Sequence, residues 1–186
     1  MNIANQLTIA RLFLTLGFVV VLSVTMPLQF TVALALFVIA SITDYIDGWV
    51  ARRFNMMSNF GKLMDPLVDK IMIAAAFICL VPLSELPAWA VIIIISREFL
   101  ITGLRLLAAS RGEVLSAERL GKHKTAWQII TVLYFLGLHS LRELFGQKWD
   151  AQWTDGIGWV LLGTTLAFTV YSGIGYLWRH RSLLSD

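Results

Sequence analysis

Apolar residues run through this chain in long blocks separated by short polar breaks. Six blocks are long enough to cross a bilayer as helices, which takes about 20 residues at ~1.5 Å each. They cover 6–24, 28–52, 62–83, 87–110, 121–142 and 156–178. Pro27, Pro82 and Pro87 fall between blocks, where a fixed φ and a missing N–H interrupt a helix. Gly146, Asp155 and Gly156 mark the longest connection at one end. No stretch is left for a soluble domain and no internal repeat is visible. The pattern predicts an all-α integral membrane protein of six transmembrane helices, with 1–186 as a single domain.

Composition agrees. Of 186 residues, 58% are hydrophobic and 15% are charged, where soluble domains carry about 25% charged residues. That excludes a disordered chain and an ordinary water-soluble enzyme. The single cysteine, Cys79, excludes a disulfide scaffold and reads as a small buried apolar side chain. The net charge of +3 is modest, and no nucleic-acid partner is expected. The N-terminus has no basic segment ahead of its first apolar block, so that block reads as retained.

The basic residues are distributed unevenly. Arg52, Arg53, Lys62, Arg111, Arg119, Lys122, Lys124, Arg179 and Arg181 fall at one end of the spans, with Arg11 and Arg105 toward it. Only Arg142 and Lys148 fall at the other end, and Lys70 and Arg97 lie inside spans. Cytoplasmic loops carry the Lys/Arg excess, so both termini are expected inside. Tryptophans near the ends of spans read as interfacial anchors.

The acidic residues change the picture from a membrane protein to a candidate enzyme. A charged side chain within a span costs at least ~2.5–3.5 kcal/mol. The second and third blocks nevertheless carry Asp44, Asp47, Asp65 and Asp69. At about 100° per residue, Asp44, Asp47, Gly48 and Ala51 share one helical face, and Gly61, Asp65 and Asp69 share another. Four converging carboxylates repel one another and need positive charge among them. Ion pairs with Lys70, Arg97 and Arg105 are one source. A divalent metal, or two, is the other. All-oxygen donors favour Mg²⁺ or Mn²⁺ over Zn²⁺, and paired metals suit displacement at phosphorus. An EF-hand is excluded because its D-x-D-x-D-G spacing is absent.

The run DYIDGWVARRFNMMSNFGKLMDPLVD, from Asp44 to Asp69, resembles the signature of the CDP-alcohol phosphotransferases, D-x2-D-G-x2-A-R-x8-G-x3-D-x3-D. Asp44, Asp47, Gly48, Ala51, Arg52, Gly61, Asp65 and Asp69 occupy its fixed positions. The resemblance implies transfer of a substituted phosphate from a CDP-linked donor to a hydroxyl, with release of CMP. It implies that Asp44, Asp47 and Asp65 hold Mg²⁺ or Mn²⁺, and that Asp69 holds metal or serves as general base on the acceptor hydroxyl. Gly48, Ala51 and Arg52 would hold the cytidine diphosphate.

Two further segments are similar to bacterial phosphatidylglycerophosphate synthases. One is Asn5-Gln6-Leu7-Thr8 followed by Arg11, with Ala4 where those often have proline. The other comprises Ser96-Arg97-Glu98, Thr102 and Arg105 together with Gly121-Lys122-His123-Lys124-Thr125. This implies CDP-diacylglycerol as donor, with Asn5 and Thr8 among its contacts, and sn-glycerol 3-phosphate as acceptor. Arg105, Lys122, Lys124 and Thr125 would fix the acceptor's phosphate. The helical repeat puts Glu98, Thr102 and Arg105 on one face, and Lys124, Thr125 and Gln128 on another. Arg97 and Glu98, deep in a span, are expected to form neutralising pairs with another helix. The family also implies a homodimer. A chain with its N-terminus inside and no targeting segment fits a bacterial inner membrane, and the four aspartates near the basic ends of their helices are expected to face the cytoplasm. Another acceptor is the alternative within the family: inositol phosphate, serine or phosphatidylglycerol. Outside the family it is a small ion-coupled transporter, which also keeps charges in its spans.

Overall fold

The computed structural model describes residues 3–54, 59–83, 85–112, 119–146 and 152–181. Its elements are α1 (Ile3–Ser23), α2 (Gln29–Phe54), α3 (Asn59–Leu80), α4 (Ala88–Ser110), α5 (Arg119–Phe145) and α6 (Gln152–Arg179). Each apolar block contains one helix. The helices overrun the blocks where polar residues continue the backbone ladder: α2 runs on past Arg52 through Arg53, and α6 starts at Gln152. Hydropathy marks the apolar slab, whereas i→i−4 hydrogen bonding continues past it. At α3 the reverse holds. The helix stops at Leu80, because Pro82 disfavours helical geometry at Val81. Pro87 caps α4 in an extended conformation (φ −70°, ψ 135°).

α1 packs along α2 and α3, α5 bridges α2 and α6, and α4 lies chiefly on α6. Phe18 of α1 meets Phe37 of α2 with ring centroids 5.9 Å apart. Ala33, Ala40 and Ala76 let the helices approach, and Phe77, Leu80, Ile94, Val132 and Leu136 fill the same core. Ile101, Leu104 and Ala108 of α4 form a second cluster with Tyr176 of α6. Between α5 and α6 the approach is closer still: a Cβ on Gly158 would lie 2.9 Å from the Phe135 ring.

The surface is inverted relative to a soluble protein. Phe13, Val160, Tyr171 and Trp178 stand 67–73% exposed, while Arg11, Lys124, Gln128, Thr131, Thr165 and Thr169 are enclosed. Water would penalise both halves of that arrangement, and lipid reverses the penalty. Among the described residues, Gln6–Ser23 and Gly156–Arg179 are long and apolar enough to cross a membrane, and Gln29–Asp44 is a shorter apolar helix. α3 and α4 owe their lower apolarity to the charges they carry, among them Asp65, Asp69 and Lys70 on α3, and Arg97, Glu98 and Arg105 on α4.

The start of α2 is held from another helix. The carbonyl of Leu28 accepts the first bond of the helix, from Val32 N at 2.9 Å, so Leu28 is the capping position. A leucine offers no side-chain acceptor for the free N–H groups that follow. Glu143, near the end of α5, supplies it. One carboxylate oxygen accepts from Phe30 N and the other from Thr31 N, each at 2.9 Å. Thr31 Oγ1 donates to the same carboxylate at 2.9 Å. Beside this cap, Glu85 contacts His139 Nε2 at 2.9 Å and Arg142 at 3.3 Å. The Glu143 bonds fix α2, the helix of Asp44, against α5.

Candidate active site

Asp44 lies ten residues before the end of α2, or about 15 Å along its axis. Asp69 lies at the same depth on α3, ten residues from its start. Their carboxylates converge on one group, the guanidinium of Arg11 from α1. Arg11 Nη1 donates to Asp44 Oδ1 at 2.9 Å, and the same nitrogen donates to Asp69 Oδ1. Two oxygens that share one nitrogen lie within reach of a single cation. The arginine is fully buried, whereas the Asp44 and Asp69 side chains keep 45% and 43% of their exposure. The guanidinium therefore forms a floor, with the carboxylates open on the opposite side. Thr8, one turn before Arg11, is buried on the same face of α1.

Asp47, Gly48, Ala51 and Arg52 fall within α2, and Asn5 and Asp65 within α1 and α3 respectively. Their side chains lie outside the described residues, as does that of Lys122. Among the described residues no group of three metal-ligating side chains is formed.

The partner of the acidic pair differs from the ones considered for ion pairing. Asp44 and Asp69 pair with Arg11, and the cations Lys70, Arg97 and Arg105 turn elsewhere. Lys70 donates to Thr102 Oγ1 of α4. Arg105 donates through Nε to the Tyr176 hydroxyl at 3.2 Å, with its guanidinium 5.5 Å from that ring's centroid. Arg97 lies across Gly173, where a Cβ would come within 3.0 Å of its Cγ, and Nη2 reaches Ser172 Oγ at 3.1 Å. Because neighbouring helical residues point about 100° apart, α3 presents Asp69 toward α1 and Lys70 toward α4.

A second charged group therefore adjoins the first. Lys124 of α5 donates to Glu98 Oε1 of α4, and Arg97 Nη1 stands 3.4 Å from the same oxygen. Glu98 thus makes the cross-helix pair its depth requires. The common face expected for Lys124, Thr125 and Gln128 holds for Lys124 and Gln128, which are buried. Thr125 is exposed and donates to the Gly121 carbonyl at 3.2 Å. Lys70, Arg97 and Lys124 together outnumber Glu98, so this compartment carries a surplus of positive charge beside the acidic one.

Arg11, which the sequence places toward the basic end of the spans and in the Asn5–Arg11 segment, has no contact assigned to it there, and the structure sets it against the acidic pair. Its signal was present: Thr8 and Arg11 stand three apart, which puts them on one helical face.

Comparisons with known proteins bear on the same segments. Residues 1–171 match the family model described as CDP-alcohol phosphatidyltransferase. The chain is 45% identical over 152 residues to the CDP-diacylglycerol–glycerol-3-phosphate 3-phosphatidyltransferase of Bacillus subtilis (strain 168), covering 75% of this chain and 78% of that protein. It is 31% identical over 175 residues to the protein of that name from Rickettsia bellii, covering 94% and 93%. With the one from Mycoplasma pneumoniae the identity is 35% over 162 residues, covering 76% and 71%.

Proposed function

The chain belongs to the CDP-alcohol phosphatidyltransferase family, a membrane-bound family of enzymes, and we propose that it transfers phosphatidyl from CDP-diacylglycerol to sn-glycerol 3-phosphate. The products are phosphatidylglycerol phosphate and CMP. The observation that carries the reading is the convergence of Asp44 and Asp69, from two helices, on the Arg11 guanidinium, with both carboxylates still partly exposed. The relatives' shared name supports the choice of donor and acceptor.

Asp44, Asp47, Asp65 and Asp69 would hold Mg²⁺ or Mn²⁺. The donor set fits: it is all oxygen, and its two described members bring one oxygen each to the same nitrogen of Arg11, close enough to share a ligand. When bound, the metal supplies charge neutralisation to the pyrophosphate. Asp69 accepts the proton of the acceptor's primary hydroxyl. That oxygen forms a bond to the phosphorus carrying diacylglycerol, and the bond from this phosphorus to the CMP oxygen breaks. Asn5, Thr8, Gly48, Ala51 and Arg52 hold the CDP-lipid.

Arg105, Lys122 and Lys124 take the acceptor's phosphate, with Thr125 at the exposed edge of the same turn. The surplus of positive charge around Glu98 supports this, and so does Gln128. Its buried amide nitrogen has no acceptor among the described residues, and a buried donor left without one costs about 1–3 kcal/mol. This face therefore suits a further polar group. The basic residues favour an arrangement with both termini and the site on the cytoplasmic side of a bacterial inner membrane. A homodimer is part of the same reading.

The test is CMP release from CDP-diacylglycerol by the purified protein, with each candidate acceptor in turn and with or without Mg²⁺. Release that depends on glycerol 3-phosphate is expected. Full activity in EDTA refutes the metal assignment, and normal CMP release by Asp69→Asn refutes the base. Release only with another acceptor moves the chain to a different member of the family.

A further inference from the structure

Arg11 comes from α1, which carries none of the motif aspartates, yet it joins the two helices that do. It lies 33 residues from Asp44 and 58 from Asp69 in sequence. A guanidinium stays charged in any protein environment. Enclosing one completely carries a desolvation cost that only well-placed anions offset. Asp44 and Asp69 provide that offset through Oδ1 of each, taken by a single nitrogen. The carboxylates are open on the face away from the arginine, so approach from the open side need not displace it.

We propose that Arg11 is a positioning residue: a permanent cation beneath the Asp44–Asp69 pair that holds the two carboxylates together and weakens their hold on a divalent metal. The inference rests on the metal reading given under the proposed function. It follows from charge. The four aspartates proposed to hold the metal carry −4, of which Asp44 and Asp69 supply half, and the guanidinium lowers the total to −3. A metal bound on the open side shares its ligands with a fixed positive charge a few ångströms away, and that repulsion is large in a partly enclosed site. The consequence is a metal that exchanges readily, above carboxylates that keep their spacing without it.

The experiment is Mn²⁺ binding to the full-length protein in detergent, followed by electron paramagnetic resonance, together with thermal unfolding with and without Mn²⁺. Arg11→Gln removes the charge, and Arg11→Lys keeps it. The glutamine variant is expected to bind Mn²⁺ at least tenfold more tightly than wild type, and the lysine variant within about threefold of it. The glutamine variant should also lose more thermal stability without Mn²⁺ than in saturating Mn²⁺, because bound metal then supplies the positive charge that the substitution removed from between the carboxylates. Equal losses with and without metal, or Mn²⁺ affinity unchanged or weakened in the glutamine variant, overturn the proposal. If Arg11→Gln alone does not fold, the double variant Arg11→Gln/Asp44→Asn decides. Recovery of a folded protein is expected, because the unbalanced repulsion is gone, and failure to recover it shows that Arg11 acts through packing and overturns the inference. Wild-type CMP release in Mn²⁺ separates the two readings. Its absence counts against the proposed function, whereas its presence with unaltered Mn²⁺ affinity in the variants counts against Arg11 alone.

Discussion

The cap on α2 allows a quantitative test of how the bundle fixes the helix of Asp44. Glu143→Ala removes the acceptor of two backbone N–H groups and of the Thr31 hydroxyl together. Loss of a capping acceptor costs about 0.5–2 kcal/mol, and loss of a negative charge at a helix N-terminus adds roughly 0.3–1 kcal/mol. Leu28 cannot take over, since its side chain holds no acceptor. The expected destabilisation is therefore ~1–3 kcal/mol. Glu143→Gln keeps one carbonyl oxygen for one N–H but turns an NH2 group toward the other, so about half of that loss is expected. Chemical unfolding of the detergent-solubilised protein, followed by circular dichroism, measures both. The cap lies about 22 Å along α2 from Asp44 at 1.5 Å per residue, so kcat per folded molecule should stay within twofold of wild type in each variant. Unchanged stability in Glu143→Ala, or a glutamine variant as unstable as the alanine one, would refute the argument that these hydrogen bonds seat the helix.

Gly158→Ala places a methyl 2.9 Å from the ring of the buried Phe135, and overpacking of this kind costs ~1–3 kcal/mol; an unaltered melting temperature would show that the α5–α6 seam can open. Lys124→Ala and Glu98→Ala each leave the other charge enclosed, so the double variant should recover at least ~1 kcal/mol relative to the sum of the singles; strict additivity in unfolding experiments would argue against the pair. Lys124→Ala should also raise KM for glycerol 3-phosphate while leaving KM for CDP-diacylglycerol unchanged, and steady-state CMP release against each substrate checks this.

The helices were legible because each apolar block is long and bounded by proline, glycine or charge. Their ends were less so, since α2 continues past Arg52 through Arg53 on hydrogen bonding that hydropathy does not register. The helical repeat placed Asp44 and Asp69 on site-facing surfaces, and the structure brings those two together. Which cation they meet was not legible. Arg11 is far from both in sequence, and by position alone it is indistinguishable from an arginine facing lipid headgroups. Glu143 was hidden for the same reason: the start of α2 lacks a capping side chain of its own, and the substitute arrives from α5. Lys70 offered a local clue. Standing next to Asp69 it must point elsewhere, which leaves the aspartate to find another partner.

The order of these elements along the chain carries a consequence for biogenesis. Arg11, Asp44 and Asp69 all lie on α1, α2 and α3, so a nascent chain that has inserted only as far as Leu80 already holds the acidic pair and its counter-cation. Glu98 and Lys124 arrive later, with α4 and α5, as does Glu143. Domains and segments form in the order they leave the ribosome, and on that schedule the three-helix remainder is not needed to bring a cation to the two carboxylates. Had their cation come from α4 or α5 instead, the translocon would have had to release two uncompensated acidic helices into the bilayer and wait.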